Sequence, residues 1–315
     1  MGGPSAGAAT ASAGSQDDGD SIRAIHAAVD AGVNWIDTAP VYGRGHSEEI
    51  IGRFLREASG SDQPMVFTKC GIVWDPDDPT KSTRTLRPDS IRAECERSLR
   101  RLGVDCIDLL QFHQPDEVGT PVEDSWAALL ELADAGKIRA AGVSNFEGDL
   151  LEGCRQGGRL ASAQSPMSLI DRGVAATVVP WAEQHGVGVL VYSPMASGLL
   201  TESFSADRVA TLPEDDFRSR DPRFQEPQLS QNLALRDSLG QIAARPQATV
   251  SAVAVAWPLA WPGVTAAIVG ARRPEQVAGW AGAVSIELTS EDLADIEAAI
   301  VRSGAGSGPS RPASR

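Results

Sequence analysis

Along this chain, short apolar runs alternate with longer stretches in which apolar residues recur every three or four positions. The runs at 33–36, 65–68 and 107–112 read as β-strands. Short strands follow at 140–143, 160–164, 188–192 and 265–269. A helix opens at Ser21, carries Ile22, Ile25 and Val29 at helical spacing, and stops at Gly32. Ser47 starts a second helix, with Ile50, Ile51, Phe54 and Leu55 on one side. Asp89 caps a third, whose stripe of Ile91, Cys95, Leu99 and Leu102 ends at Gly103. Further helices are expected at 121–135, 149–155, 174–184 and 229–244. Strands that alternate with helices imply βαβ units and a parallel sheet.

These strands number seven, and a closed α/β barrel needs eight. The missing one belongs before Ser21. Residues 2–15 contain no β-branched or large apolar residue except Thr10, so nothing there fills a barrel core. The expected fold is therefore a (β/α)8 TIM barrel whose first strand is poorly formed or missing. It is framed as a low-complexity N-terminal segment at 1–20, the barrel at 21–302, and a disordered Gly/Ser/Pro/Arg-rich tail at 303–315. The longest connection, 193–229, holds Pro194, Pro213, Pro222 and Pro227 with many charges, which suits a lid or binding arm.

The chain of 315 residues is 42% apolar, enough for a sizeable core. It has no apolar run of about 18 residues, so no membrane span is expected. The first twenty residues lack the basic start and apolar stretch of a secretory signal. A net charge of −14 argues against nucleic acid and anionic membranes as partners. Among the four cysteines, Cys70, Cys95, Cys106 and Cys154, none forms a C-x-x-C pair, which fits a reduced, cytoplasmic protein. The acidic pairs Asp17-Asp18, Asp77-Asp78 and Asp215-Asp216 lack the spacing of a metal site, so no metal is expected.

Asp37, Tyr42, Lys69 and His113 sit at or just past the ends of the first three runs. In a β/α barrel such strand ends converge where the chemistry is done. A phenol has a pKa near 10, too high for ready proton exchange at neutral pH. A nearby ammonium lowers it, so Lys69, held by Asp37, would make Tyr42 a usable general acid. His113 can donate a hydrogen bond to a carbonyl oxygen. Together they would protonate a developing alkoxide as hydride reaches carbon. No side chain offers a hydride, so an organic cofactor must supply it.

The stretches Asn34-Trp35-Ile36-Asp37-Thr38-Ala39-Pro40-Val41-Tyr42-Gly43, Thr68-Lys69-Cys70-Gly71, Asp108-Leu109-Leu110-Gln111-Phe112-His113 and Gly142-Val143-Ser144-Asn145-Phe146 resemble the signatures of the aldo-keto reductases, in family order. The resemblance runs from about Ser21 to Val301. It implies a TIM barrel that binds a nicotinamide cofactor, usually NADPH, with Asp37, Tyr42, Lys69 and His113 as the catalytic tetrad. It also implies that Ser144, Asn145 and Gln164 grip the nicotinamide carboxamide and that Tyr192 stacks on its ring. Ser193, Pro194, Met195, Ala196, Ser197, Gly198, Leu199 and Leu200 resemble the loop that wraps the pyrophosphate. Residues 268–276 resemble the adenosine end, with Gly270, Arg272 and Gln276. There Arg272 would meet the 2′-phosphate, beside the helix that Pro274 opens. Two departures stand out. Trp280 occupies a place where the family commonly has an asparagine, and the family's first strand is not recognisable before Ser21.

The implied activity is reversible, NADPH-dependent reduction of an aldehyde or ketone on a small molecule to the alcohol. The alternatives are an NADP(H)-binding regulatory protein with little turnover, or a weakly active reductase shortened at its start.

Overall fold

The computed structural model describes residues 17–58, 63–75, 77–78, 80–214, 216–245 and 247–312. They fall into two compact units, Asp17–Gln164 and Ser165–Arg315.

The first unit opens with α1 (Asp18–Asp30), β1 (Trp35–Asp37), α2 (His46–Glu57) and β2 (Met65–Cys70). A hairpin of β3 (Ile72–Trp74) and β4 (Ser82–Arg84) follows, then α3 (Pro88–Leu102), β5 (Ile107–Phe112) and α4 (Val122–Asp134). The unit closes with β6 (Ile138–Ser144), α5 (Gly148–Gln156) and β7 (Leu160–Pro166). Its main sheet runs β1-β2-β5-β6-β7, every neighbouring pair parallel. Ile107, Leu109, Leu110 and Phe112 of β5 are all buried, as befits a parallel strand covered on both faces.

Helix boundaries move by a few residues for local reasons. The Asp17 carboxylate accepts the Asp20 N–H at 2.9 Å, so α1 starts ahead of Ser21. In α3, Pro88 takes the first helical position, where its missing N–H does no harm, and Asp89 falls inside rather than capping. Gly52 lets α2 approach α3 closely, because a Cβ there would lie 2.4 Å from the Arg101 carbonyl. The β3–β4 hairpin escapes the periodicity, since three-residue strands carry too little alternation to register.

The second unit carries α6 (Val178–His185), β8 (Gly188–Tyr192), α7 (Ala206–Ala210), α8 (Gln228–Ala244) and α9 (Val250–Leu259). It ends with β9 (Val264–Ile268), α10 (Pro274–Trp280) and α11 (Ser290–Ser303). Strands β8 and β9 pair in parallel. Helix α9 is invisible to an amphipathic search, because Val250 through Pro258 are all buried and no polar face remains. The long connection after β8 is not bare loop. It holds α7 and 3-10 turns at Phe217–Ser219 and Pro222–Phe224, pinned by buried Phe204 and Phe224 in edge-to-face contact at 5.6 Å.

All seven expected strands form near their expected places. The expected gap at the first strand falls on residues 1–16, which lie outside the described residues. The expectation of a disordered tail is corrected for residues 303–312, and its last three residues lie outside the described residues. Buried Arg172 donates to the carbonyls of Ala305, at 3.1 Å, and Gly308, at 3.2 Å, while Ser307 pairs with Asp171. Composition sees little apolar surface in the tail. It cannot see a buried guanidinium elsewhere that requires acceptors. Among the described residues, no helix is long and apolar enough to cross a membrane.

Candidate active site

Asp37 ends β1, Lys69 lies on β2, and His113 immediately follows β5. Parallel pairing carries these strand ends side by side. Tyr42 opens a 3-10 turn, Tyr42–Gly45, in which Gly43, Arg44 and Gly45 all take left-handed backbone. Lys69 and Asp37 form an ion pair with side chains only 1% and 5% exposed. The ammonium also donates to the Thr38 carbonyl at 3.0 Å. It stands 5.6 Å from the centre of the Tyr42 ring, and the Tyr42 and His113 rings meet edge to face at 5.8 Å.

Burial works against the Lys69 charge, but Asp37 and Tyr42 outweigh it and hold its pKa above the ordinary 10.5. The Tyr42 expectation is corrected. Burial raises its phenol above 10, and although the Lys69 charge pulls the other way, it does not offset that rise. The hydroxyl therefore keeps its proton at neutral pH. Burial first, then the charges of Lys69 and Arg84, push the His113 imidazole down to about 3, so it is neutral there.

Around this cluster the backbone is firmly held. The His113 N–H donates to the Cys70 carbonyl at 2.9 Å, and its carbonyl accepts from Asn145 Nδ2 at 2.9 Å. Asn145, at φ 61°, also donates from Nδ2 to Ser144 Oγ at 3.1 Å. Gln164 Nε2 donates to Asp37 Oδ2 at 2.9 Å, and Gln111 Nε2 reaches the same oxygen at 3.4 Å. Ser144, Asn145 and Gln164, singled out as one group, are thus brought together with the four. Trp74, on β3, carries the Arg44 guanidinium over its ring at 5.0 Å.

The remaining singled-out residues lie in the second unit. Tyr192 ends β8. Ser193, Ala196 and Ser197 adopt left-handed φ of 57°, 48° and 57° without being glycine, and Gly198 follows at 101°. Such backbone costs about 1 kcal/mol or more per residue and persists where surroundings enforce it. Here Ala196, Leu199 and Leu200 are fully buried anchors, while Met195 packs against the cluster of Ala252, Val255 and Ala256 on α9. Pro194 sits between these left-handed residues. After β9, Gly270 leads to Arg272 and Arg273, both exposed. Gln276 is turned inward on its own helix. Its Oε1 accepts the Arg272 N–H at 2.6 Å and the Arg273 N–H at 3.3 Å, capping α10.

The model of the aldo/keto reductase family matches residues 5–301. The chain belongs to this family. The match begins well before Ser21, where the motifs alone become recognisable. The chain is 38% identical over 284 residues to aldo-keto reductase YhdN of Bacillus subtilis (strain 168), covering 90% of this chain and 84% of that one. It is 34% identical over 270 residues to an NADH-specific methylglyoxal reductase of Escherichia coli (strain K12), covering 83% and 81%. A solved glycerol dehydrogenase from Gluconobacter oxydans matches with a TM-score of 0.86 and 42% identity, covering 94% of this chain and 89% of that one. The fold is the α/β barrel of the aldo/keto reductases, and the protein is an oxidoreductase that acts on carbonyl compounds with a nicotinamide cofactor.

Within this aldo/keto reductase, reading the sequence missed Gln111 and the Thr38 carbonyl as partners of the ion pair. A polar residue inside the apolar run of β5 was the available sign of Gln111. A carbonyl leaves no sign in a sequence.

Proposed function

We propose that this protein reduces a small aldehyde or ketone to its alcohol with NADPH, and that Tyr42 is the proton donor. The observation that carries the reading is the buried Asp37–Lys69 pair, with Tyr42 beside the ammonium and a neutral His113 against the Tyr42 ring. The cofactor supplies the hydride. Lys69 keeps its proton and stabilises the phenolate left when Tyr42 gives up the hydroxyl proton. Neutral His113 retains one ring N–H to donate to a substrate oxygen. Gln164 and Gln111 hold Asp37 so that its carboxylate faces Lys69.

The residues present fit a dinucleotide. Enforced left-handed backbone at Ser193, Ala196 and Ser197 suits a loop shaped by a ligand. Ser144, Asn145 and Gln164 are proposed for the carboxamide, Tyr192 for the nicotinamide ring, and Ser193–Leu199 for the pyrophosphate. Gly270, Arg272 and Gln276 are proposed for the adenosine end, Gln276 acting by fixing the Arg272 backbone. A guanidinium at Arg272 favours the 2′-phosphate and hence NADPH, unlike the NADH-specific relative. The relatives named for methylglyoxal and glycerol recommend three-carbon carbonyls as first substrates. The cysteines Cys70, Cys95, Cys106 and Cys154 are all free thiols, which supports a cytoplasmic location.

The test is NADPH oxidation followed at 340 nm with methylglyoxal and a panel of simple aldehydes. Wild type should turn over, and Tyr42→Phe should lose about 10²-fold or more while binding NADPH normally. A Tyr42→Phe protein with near-native turnover would remove Tyr42 as the donor.

A further inference from the structure

Facing α2 and α3 on the first unit is a cavity of about 650 Å³, lined by Arg53, Arg56, Arg97, Arg100 and Arg101 together with His46, Asp18 and Glu49. Five guanidinium groups face two carboxylates there, in a chain whose net charge is −14. The spacing explains the concentration. Arg53 and Arg56 are three apart on α2, and Arg97, Arg100 and Arg101 are three and four apart on α3, so each set shares a helix face.

Two of the arginines are already anchored. Arg53 pairs with Asp18, which His46 also meets at 2.8 Å. Arg101 pairs at 2.6 Å with Glu48, a fully buried carboxylate that also accepts from Thr68 Oγ1 at 2.6 Å. These fix the walls. The other three, Arg56, Arg97 and Arg100, are exposed and form no ion pair among the described residues. Guanidiniums that line one groove repel one another, although the buried Glu94 carboxyl partly offsets Arg97, and an anion relieves that repulsion. Guanidinium forks match phosphate oxygens in pairs, and the volume lies within the range of about 300–1,000 Å³ for small-molecule sites.

We propose that this groove, lined by none of the tetrad residues and none of the residues proposed for the cofactor, binds a small diphosphate-bearing anion. The strongly acidic remainder of the chain disfavours a long polyanion, so the ligand is a free diphosphate or a nucleoside diphosphate.

Isothermal titration of inorganic pyrophosphate into full-length protein saturated with NADP, at low ionic strength, tests this. Wild type should bind one equivalent. The double variant Arg97→Ala/Arg100→Ala should bind at least tenfold more weakly, with NADPH oxidation kinetics unchanged. Arg56→Gln should weaken binding as well and serves if the double variant does not fold, whereas Arg272→Ala should bind pyrophosphate as wild type does. ADP binding tenfold more tightly than pyrophosphate would assign a nucleotide, and equal affinity the free diphosphate. No binding by wild type, equal binding by both groove variants, or adenosine binding as well as ADP would overturn the proposal.

Discussion

Gln164 donates a 2.9 Å hydrogen bond to Oδ2 of Asp37, the carboxylate whose Oδ1 holds Lys69. One end of the buried ion pair is therefore positioned by an amide from β7. Gln164→Leu keeps the bulk but removes the donor, leaving that oxygen the longer contact from Gln111 at 3.4 Å. The variant should lose about 1.5–3 kcal/mol of stability, the scale of a hydrogen bond to a charged group, and turnover should fall with it. Denaturant melts and kcat measured together check this. Unchanged stability and turnover would show that Gln111 alone suffices.

The ion pair itself makes an asymmetric prediction. Lys69→Met leaves Asp37 buried and unpaired, which should destabilise the protein by about 3–5 kcal/mol and abolish turnover. Asp37→Asn/Lys69→Met removes both charges and should regain much of the stability and none of the activity. If the double variant is as unstable as the single, the loss comes from packing around Lys69 rather than from the stranded charge.

Cofactor choice should rest on Arg272. Removing its guanidinium in Arg272→Ala should weaken NADPH by about 1.5–3 kcal/mol, while NADH, without the 2′-phosphate, loses far less. Dissociation constants for both cofactors decide it, and equal losses would show that Arg272 does not read the phosphate.

Acidity should act on stability through two buried groups. Glu94 accepts the Gly71 N–H at 3.0 Å and the Ser90 hydroxyl at 3.0 Å, and burial pushes its carboxyl from 4.5 up to about 7. The folded state thus holds a proton that the unfolded state releases. Glu94 contributes stability below about pH 4.5 that is lost as pH rises through 7. His113, pushed down from 6.5 to about 3, acts in the opposite sense, its contribution being lost as pH falls below 6.5. Glu94→Gln should remove the first slope. Relative to wild type it should gain about 3 kcal/mol between pH 4.5 and pH 8. Urea midpoints across that range provide the check, and a constant difference would mean that Glu94 does not titrate there.

Much of this architecture could be read from the chain, because central strands such as β5 are buried on both faces and register as nearly unbroken apolar runs. Asp37, Lys69 and His113 were legible because each stands where such a run ends. What escaped did so for physical reasons. Helix α9 has no polar face, and the β3–β4 strands are too short to alternate. The state of Tyr42 depends on how burial weighs against Lys69, a contest among residues 27 positions apart in which spacing has no say. The capping role of Gln276, whose Oε1 accepts the Arg272 and Arg273 amides, was likewise invisible, because it depends on the turn that brings those N–H groups to the side chain.

Arg172 gives the end of the chain an unusual status. Its guanidinium takes acceptors from Leu169, Ala305 and Gly308, and it is 3% exposed. Chain ends are ordinarily the safest places to trim or tag. Cutting after Gly304 would instead strip two of the three carbonyls from a charge that water cannot readily reach. For protein engineering, the carbonyls of Ala305 and Gly308 serve a buried charge, and a deletion that removes them should be planned as one would plan a mutation in the core.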